Sequence, residues 1–255
     1  MALPPAPSRK REGEQPSIAP FREREGEGAS VSSSRLREEA GRRAFRSAAA
    51  WFDSVVVDHA FFRIAWHNWA EVVPGRLYRS NHPTPMRLAA LVRRYGIRTV
   101  INLRGPKPCG STTLTEAAAA RLGLVHIYAP FESRGAPHRD RILRLAEIFA
   151  GMAEPALIHC KSGADRAGLA AGLFILMNGG SAAQALAQLS WRFLHFPGSR
   201  TGVLDAFFHR YAADAEGRVP FLDWVREHYD EEALRRTFRP GRFASFVNDR
   251  LLARE

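Results

Sequence analysis

The stretch HCKSGADRAG, His159 to Gly168, sets a thiol at Cys160 and a guanidinium at Arg166 with five residues between them. It follows the apolar run ALI and contains a glycine, so it reads as a strand end turning sharply into a helix. Such a turn directs successive backbone N–H groups into one concavity, and the following helix aims its positive N-terminus at the same place. A cysteine in that field loses its proton below the free-thiol value of about 8.5, which makes Cys160 a candidate nucleophile at neutral pH. Five intervening residues are enough to carry the chain around a tetrahedral anion, so that the planar fork of Arg166 grips two of its oxygens. The competing reading, a buried inert thiol, is the usual fate of a single cysteine. The spacing to Arg166, with a strand before and a helix after, favours chemistry.

The elements that must hold this loop are legible on either side of it. RLYRS reads as a strand, TPMRLAALVRRYG as a helix closed by Gly96, and IRTVINLR as a β-branched strand. STTLTEAAAARLG is a helix pattern, LVHIYAP a strand, HRDRILRLAEIFAGM a helix and PALIHC a strand. This alternation predicts an α/β fold with a mainly parallel sheet and right-handed crossovers, flanked by helices. Ligands bind such sheets at the carboxyl ends of the strands, where Cys160 falls. Beyond the loop, AGLAAGLFILMNGG is a helix, SAAQALAQLSWRF a second one with Ser181 as N-cap, and VLDAFFHRYAA a third. HFPGSR, His195 to Arg200, reads as a connector, with a second wall of the pocket as the alternative.

Four regions follow from composition. Residues 1–34, rich in Pro, Gly, Ser, Glu and Arg, read as a disordered tail. Residues 35–73 carry Phe45, Trp51, Phe52, Phe61, Phe62, Trp66 and Trp69 at spacings a helix gathers onto one face. That segment is expected to cover the domain, with peripheral membrane contact as the alternative because Arg42, Arg43 and Arg46 precede the aromatics. Residues 74–213 form the α/β domain and 214–255 a helical extension.

Basic residues outnumber acidic ones 10 to 7 in residues 1–50 and 19 to 10 in 51–213, against 8 to 9 in 214–255. A basic folded domain points to anionic partners. Specific nucleic-acid binding is not expected, because no recognition module or aromatic platform accompanies the charge. Two cysteines make no disulfide framework, and no Cys-x-x-Cys pair suggests zinc. With neither a long apolar run nor a secretion-signal pattern at the start, the expected location is the cytoplasm.

The His-Cys-x5-Arg loop, together with GRLYRSNHPTP and TVINLRG, resembles the cysteine-dependent tyrosine and dual-specificity phosphatases, in a bacterial dual-specificity-like branch. The resemblance spans roughly residues 75–213 and is specific around the loop. It implies hydrolysis of phosphomonoesters in two steps, without metal or cofactor. Cys160 would attack phosphorus while Arg166 and the loop residues Lys161, Ser162, Gly163 and Ala164 hold the phosphoryl oxygens. The implied substrate is a phosphorylated protein, with a phosphoinositide or other phospholipid as the alternative and a phosphate-binding adaptor without turnover as the non-enzymatic one. Lys161 is the residue through which additional phosphates would be read.

The proton donor departs from the family's usual pattern. Most members carry an Asp about thirty residues before the cysteine, and here the corresponding loop offers Glu132, 28 residues upstream, and Asp140, 20 upstream. Another branch carries Cys-x-x-Gly-x-Asp-Arg, which matches Asp165, so Asp165 is the expected general acid and Glu132 the runner-up. Ala167 stands where the family usually has a hydroxyl that helps the thiolate leave. His159 is expected to brace the loop rather than touch substrate. Cys109, in GPKPCG, is a spare thiol or a partner for a reversible disulfide with Cys160.

Overall fold

Strand residues alternate between two hydrophobic cores in the computed structural model, which describes residues 67–107 and 109–239. The sheet has five strands: β1 (Ala70–Val73), β2 (Leu77–Ser80), β3 (Thr99–Asn102), β4 (Val125–Tyr128) and β5 (Ala156–His159). Their order is β1-β2-β5-β3-β4. β1 runs antiparallel to β2, and every other neighbouring pair is parallel. The expected α/β fold with a mainly parallel sheet is the observed one.

The period-2 pleat sorts the core side chains. Leu77, Ile101 and Ile158 face one helical layer, while Tyr78, Val100 and Leu157 face the other. The second layer holds α1 (Pro85–Tyr95) and α2 (Gly110–Arg121). α1 begins at an N-cap, Thr84, whose hydroxyl accepts from the Arg87 N–H, with Pro85 in the first turn, and stops at Gly96 in the left-handed region. The first layer holds α3 (Arg139–Gly151), α4 (Asp165–Met177), α6 (Val203–Asp214), α7 (Phe221–Glu227) and α8 (Glu231–Thr237). α4 is buried almost throughout. Its small residues allow close approach, and a Cβ at Gly172 would lie 2.5 Å from the Phe208 ring.

Three expectations are revised. The segment expected to be helical to residue 73 ends in a strand: β1 pairs with β2, and Trp69 stacks on Tyr78 and Tyr95 at centroid distances of 5.1 and 4.8 Å. The β-branched Val72 and Val73 suit an edge strand packed on the core. The helix read over SAAQALAQLSWRF shrinks to α5 (Ala182–Leu186), followed by a 3-10 turn at Trp191–Phe193. Ser181 caps it as expected, but the Gln188 carbonyl is taken by the Arg79 guanidinium at 2.6 Å, which diverts it from a continuing helix. Finally, α4 starts at Asp165, so Asp165 and Arg166 belong to a first helical turn rather than to the loop.

The tail at 1–34, the aromatic residues before 67 with their proposed membrane contact, and the chain after 239 lie outside the described residues. Within 214–239 the extension is part of the core, with Trp224 and Tyr229 each 1% exposed. No helix among the described residues is long and apolar enough to cross a membrane.

Candidate active site

Four consecutive carbonyls of the loop after β5 are tied from below. The His82 N–H donates to Lys161 O at 3.2 Å, and Asn68 Nδ2 donates to Ser162 O at 2.6 Å. Arg79 Nη2 donates to Gly163 O at 2.7 Å and to Ala164 O at 3.0 Å. In a trans peptide the C=O and the next N–H point in opposite directions. Fixing these carbonyls on the β2 side therefore turns the amide N–H groups that follow them towards the opposite, cysteine side. One of them is seen there: the Gly163 N–H donates to Cys160 Sγ at 3.2 Å.

Gly163 is obligatory in this arrangement. Its φ is +74°, and a Cβ would lie 2.6 Å from Asn81 N and 2.7 Å from the Ser80 carbonyl carbon. The backbone of the loop rests directly on the end of β2. α4 leaves the loop with no side-chain cap, since Ala164 occupies its N-cap position, so an anion in the concavity would meet an uncapped positive helix end.

The expected residues are largely buried. Cys160 is 2% exposed, Asp165 4% and Arg166 8%, while Lys161 and Ser162 are half-buried at the rim. Ala167 is fully buried behind them. His159, expected as a brace, is buried with its ring against that of His82 at a centroid distance of 4.6 Å. His82 Nε2 lies 2.9 Å from Thr115 Oγ1, and it is the His82 backbone that reaches the loop.

The alternative residues have local settings of their own. Glu132 forms ion pairs with Arg141 and, at 3.7 Å, with His138. Asp140 is exposed in the first turn of α3. Cys109 precedes α2 with Sγ 3.3 Å from Thr112 Oγ1, and both cysteines are free thiols.

Three groups were not read from sequence. Arg79 is fully buried, its guanidinium 3.8 Å from the Phe193 ring centroid. Burial pulls its pKa down, against the opposing influence of Cys160 and Asp165, to about 9, so it stays cationic at neutral pH. A signal existed: Arg79 shares strand parity with Leu77, and an arginine on the buried face of a four-residue strand survives only if paired. Asn68 and Asp205 gave no such signal. His195, read as part of a connector, is fully buried between Asp165 Oδ1 at 2.8 Å and Asp205 Oδ2 at 2.6 Å. HFPGSR is thus a structural wall of the site through His195.

Residues 64–188, which include the loop and β1 to α4 in full, match the family described as the tyrosine phosphatase family. The match spans just under half of the chain and contains the whole of the loop after β5. No curated protein matches the chain. Among solved structures, TpbA of P. aeruginosa is 20% identical with a TM-score of 0.47, covering 66% of this chain and 89% of that one. The core catalytic domain of the PP-IP phosphatase SIW14 from S. cerevisiae, in complex with citrate, is 18% identical with a TM-score of 0.42, covering 66% and 89%. PTPMT1 is 19% identical with a TM-score of 0.42, covering 58% and 98%.

Proposed function

We propose that the protein is a phosphatase of the tyrosine phosphatase type, hydrolysing phosphomonoesters of tyrosine or of serine and threonine in proteins through a phosphocysteine on Cys160. The observation that carries the reading is the loop whose carbonyls are bound from below and whose Gly163 N–H donates to Cys160 Sγ. Cys160 Sγ attacks phosphorus as the P–O bond to the leaving group breaks. The loop amides and the Arg166 fork hold the equatorial oxygens, so developing charge meets preorganised donors. Asp165 gives its proton to the departing oxygen. The resulting carboxylate then takes a proton from the water that attacks the phosphocysteine, releasing inorganic phosphate and regenerating both thiolate and acid.

A phospholipid substrate is the second reading. It is favoured by Lys161, half-buried at the loop rim, and by the basic excess in residues 51–213. A panel of phosphotyrosine and phosphothreonine peptides beside phosphoinositide vesicles distinguishes the two by kcat/KM. The common mechanism is tested by Cys160→Ser. Turnover is expected to fall by at least about 10³-fold while binding of inorganic phosphate persists. Retained turnover in that variant, or failure to trap a phosphocysteine in the native enzyme by acid quench, overturns it.

A further inference from the structure

We propose that His195 is a positioning residue for Asp165, anchored to α6 through Asp205, and that it stabilises the carboxylate left when Asp165 gives its proton to the leaving group. The inference rests on the reading of Asp165 as the proton donor.

The geometry is restrictive. Both ring nitrogens of a fully buried imidazole lie within hydrogen-bond distance of a carboxyl oxygen, Nδ1 2.8 Å from Asp165 Oδ1 and Nε2 2.6 Å from Asp205 Oδ2. A neutral imidazole has one N–H to give, whereas the imidazolium has two. If both carboxyls are ionised, the ring must be the cation. Burial alone would lower the His195 pKa, but the hydrogen bonds and charges of Asp165 and Asp205 outweigh it and bring it up to about 9. Asp205 is what makes a buried cation tolerable there, and it lies in the first turn of α6, where a carboxylate also suits the helix dipole.

The other charges facing this group come from separate elements. Arg79 on β2 interacts with Asp165 and with Cys160, which follows β5, Arg192 in the 3-10 turn acts on Arg79, and Arg166 adjoins Asp165 on α4. The bridge therefore places a positive charge in direct hydrogen-bond contact with Asp165 Oδ1. When Asp165 Oδ2 releases its proton, the new negative charge forms against a ring already donating to Oδ1. This lowers the proton affinity of Asp165, which speeds donation and confines the acid-competent enzyme to lower pH. The second step gains as well, because the same carboxylate is ready to take a proton from water.

The test is the pH profile of kcat for phenyl phosphate, whose leaving group needs a proton, with p-nitrophenyl phosphate as the less demanding reference. His195→Gln keeps a donor towards Asp165 but removes the charge. Its alkaline-side decline is expected to move up by about one pH unit, with the larger loss of rate on phenyl phosphate. Asp205→Asn is expected to shift the same limb in the same direction by less. A folded His195→Gln enzyme whose limb coincides with the native one overturns the proposal. In the native protein, NMR of the ring nitrogens is expected to show both N–H groups at pH 7, and a neutral ring there overturns it without any variant. If Asp165→Asn leaves the limb in place, the proton-donor reading fails instead, and the two failures are told apart.

Discussion

Arg79 Nη2 lies 2.7 Å from the Gly163 carbonyl, so a strand residue 84 positions upstream decides which way the loop after β5 faces. The same guanidinium reaches Ala164 O and Gln188 O, joining β2, the loop and the chain after α5.

Replacement of Arg79 by Lys is therefore expected to be damaging although charge is kept. A lysine ammonium cannot span the carbonyls of Gly163, Ala164 and Gln188 in one plane, and any left unmade are buried. kcat/KM should fall by about 10²-fold, the scale of misplacing reacting groups by an ångström. Steady-state kinetics beside thermal melting checks this, and an Arg79→Lys enzyme with native kcat/KM contradicts it.

Gly163→Ala combines a left-handed backbone with a Cβ 2.6 Å from Asn81 N. Both atoms it meets at that end of β2 are backbone, so neither can swing aside. Destabilisation of about 2–4 kcal/mol is expected, with loss of phosphate binding in whatever remains folded. Denaturant unfolding and calorimetric titration with inorganic phosphate measure the two effects.

Asp165→Asn and Glu132→Gln separate the candidate acids. Glu132 is held by Arg141 and His138, whereas Asp165 adjoins Arg166 at the start of α4. On phenyl phosphate, Asp165→Asn should cost about 10²-fold, the usual contribution of a general acid, and Glu132→Gln less than about threefold. The reverse order would reassign the proton donor.

Ala167→Ser restores a hydroxyl just past Arg166, in a fully buried position. Breakdown of the phosphocysteine should accelerate, raising kcat several-fold where that step limits turnover. Rapid-quench measurement of phosphocysteine decay decides it, with unchanged decay as the contrary result.

Stability should depend on pH through His195. Its folded pKa, about 9, is raised above the ordinary 6.5 by Asp165 and Asp205 despite burial. The folded state thus holds the proton more tightly than the unfolded chain. The stabilisation is full below about pH 6.5 and is lost as pH rises towards 9. Melting temperature is expected to fall across that window in the native protein and to fall less in His195→Gln.

The loop itself was legible because its chemistry is local. Cys160, Gly163, Asp165 and Arg166 lie within seven residues, and the strand before and helix after are short-range patterns. The alternation of strands and helices likewise announced the α/β fold, since each apolar period belongs to one element. The short reach of α5 was not legible, because the Gln188 carbonyl just past its end is held by Arg79 from another strand. Nor was β1, whose residues follow an aromatic stripe of helical spacing but pair with β2 in the folded chain.

By itself the sequence determined a sulfur and a guanidinium with five residues between them in a turn at a strand's carboxyl end. Tertiary structure alone decided what holds that turn and what its buried carboxylate touches. Asn68, Arg79 and His82 arrive because β2 lies beside β5 in the parallel sheet, and His195 and Asp205 because α6 packs on the same face as α4. Loop carbonyls and a buried carboxylate need partners, but nothing in a local pattern says which distant residue will supply them. That choice follows from sheet order and helix packing, which bring together groups separated by up to 125 positions.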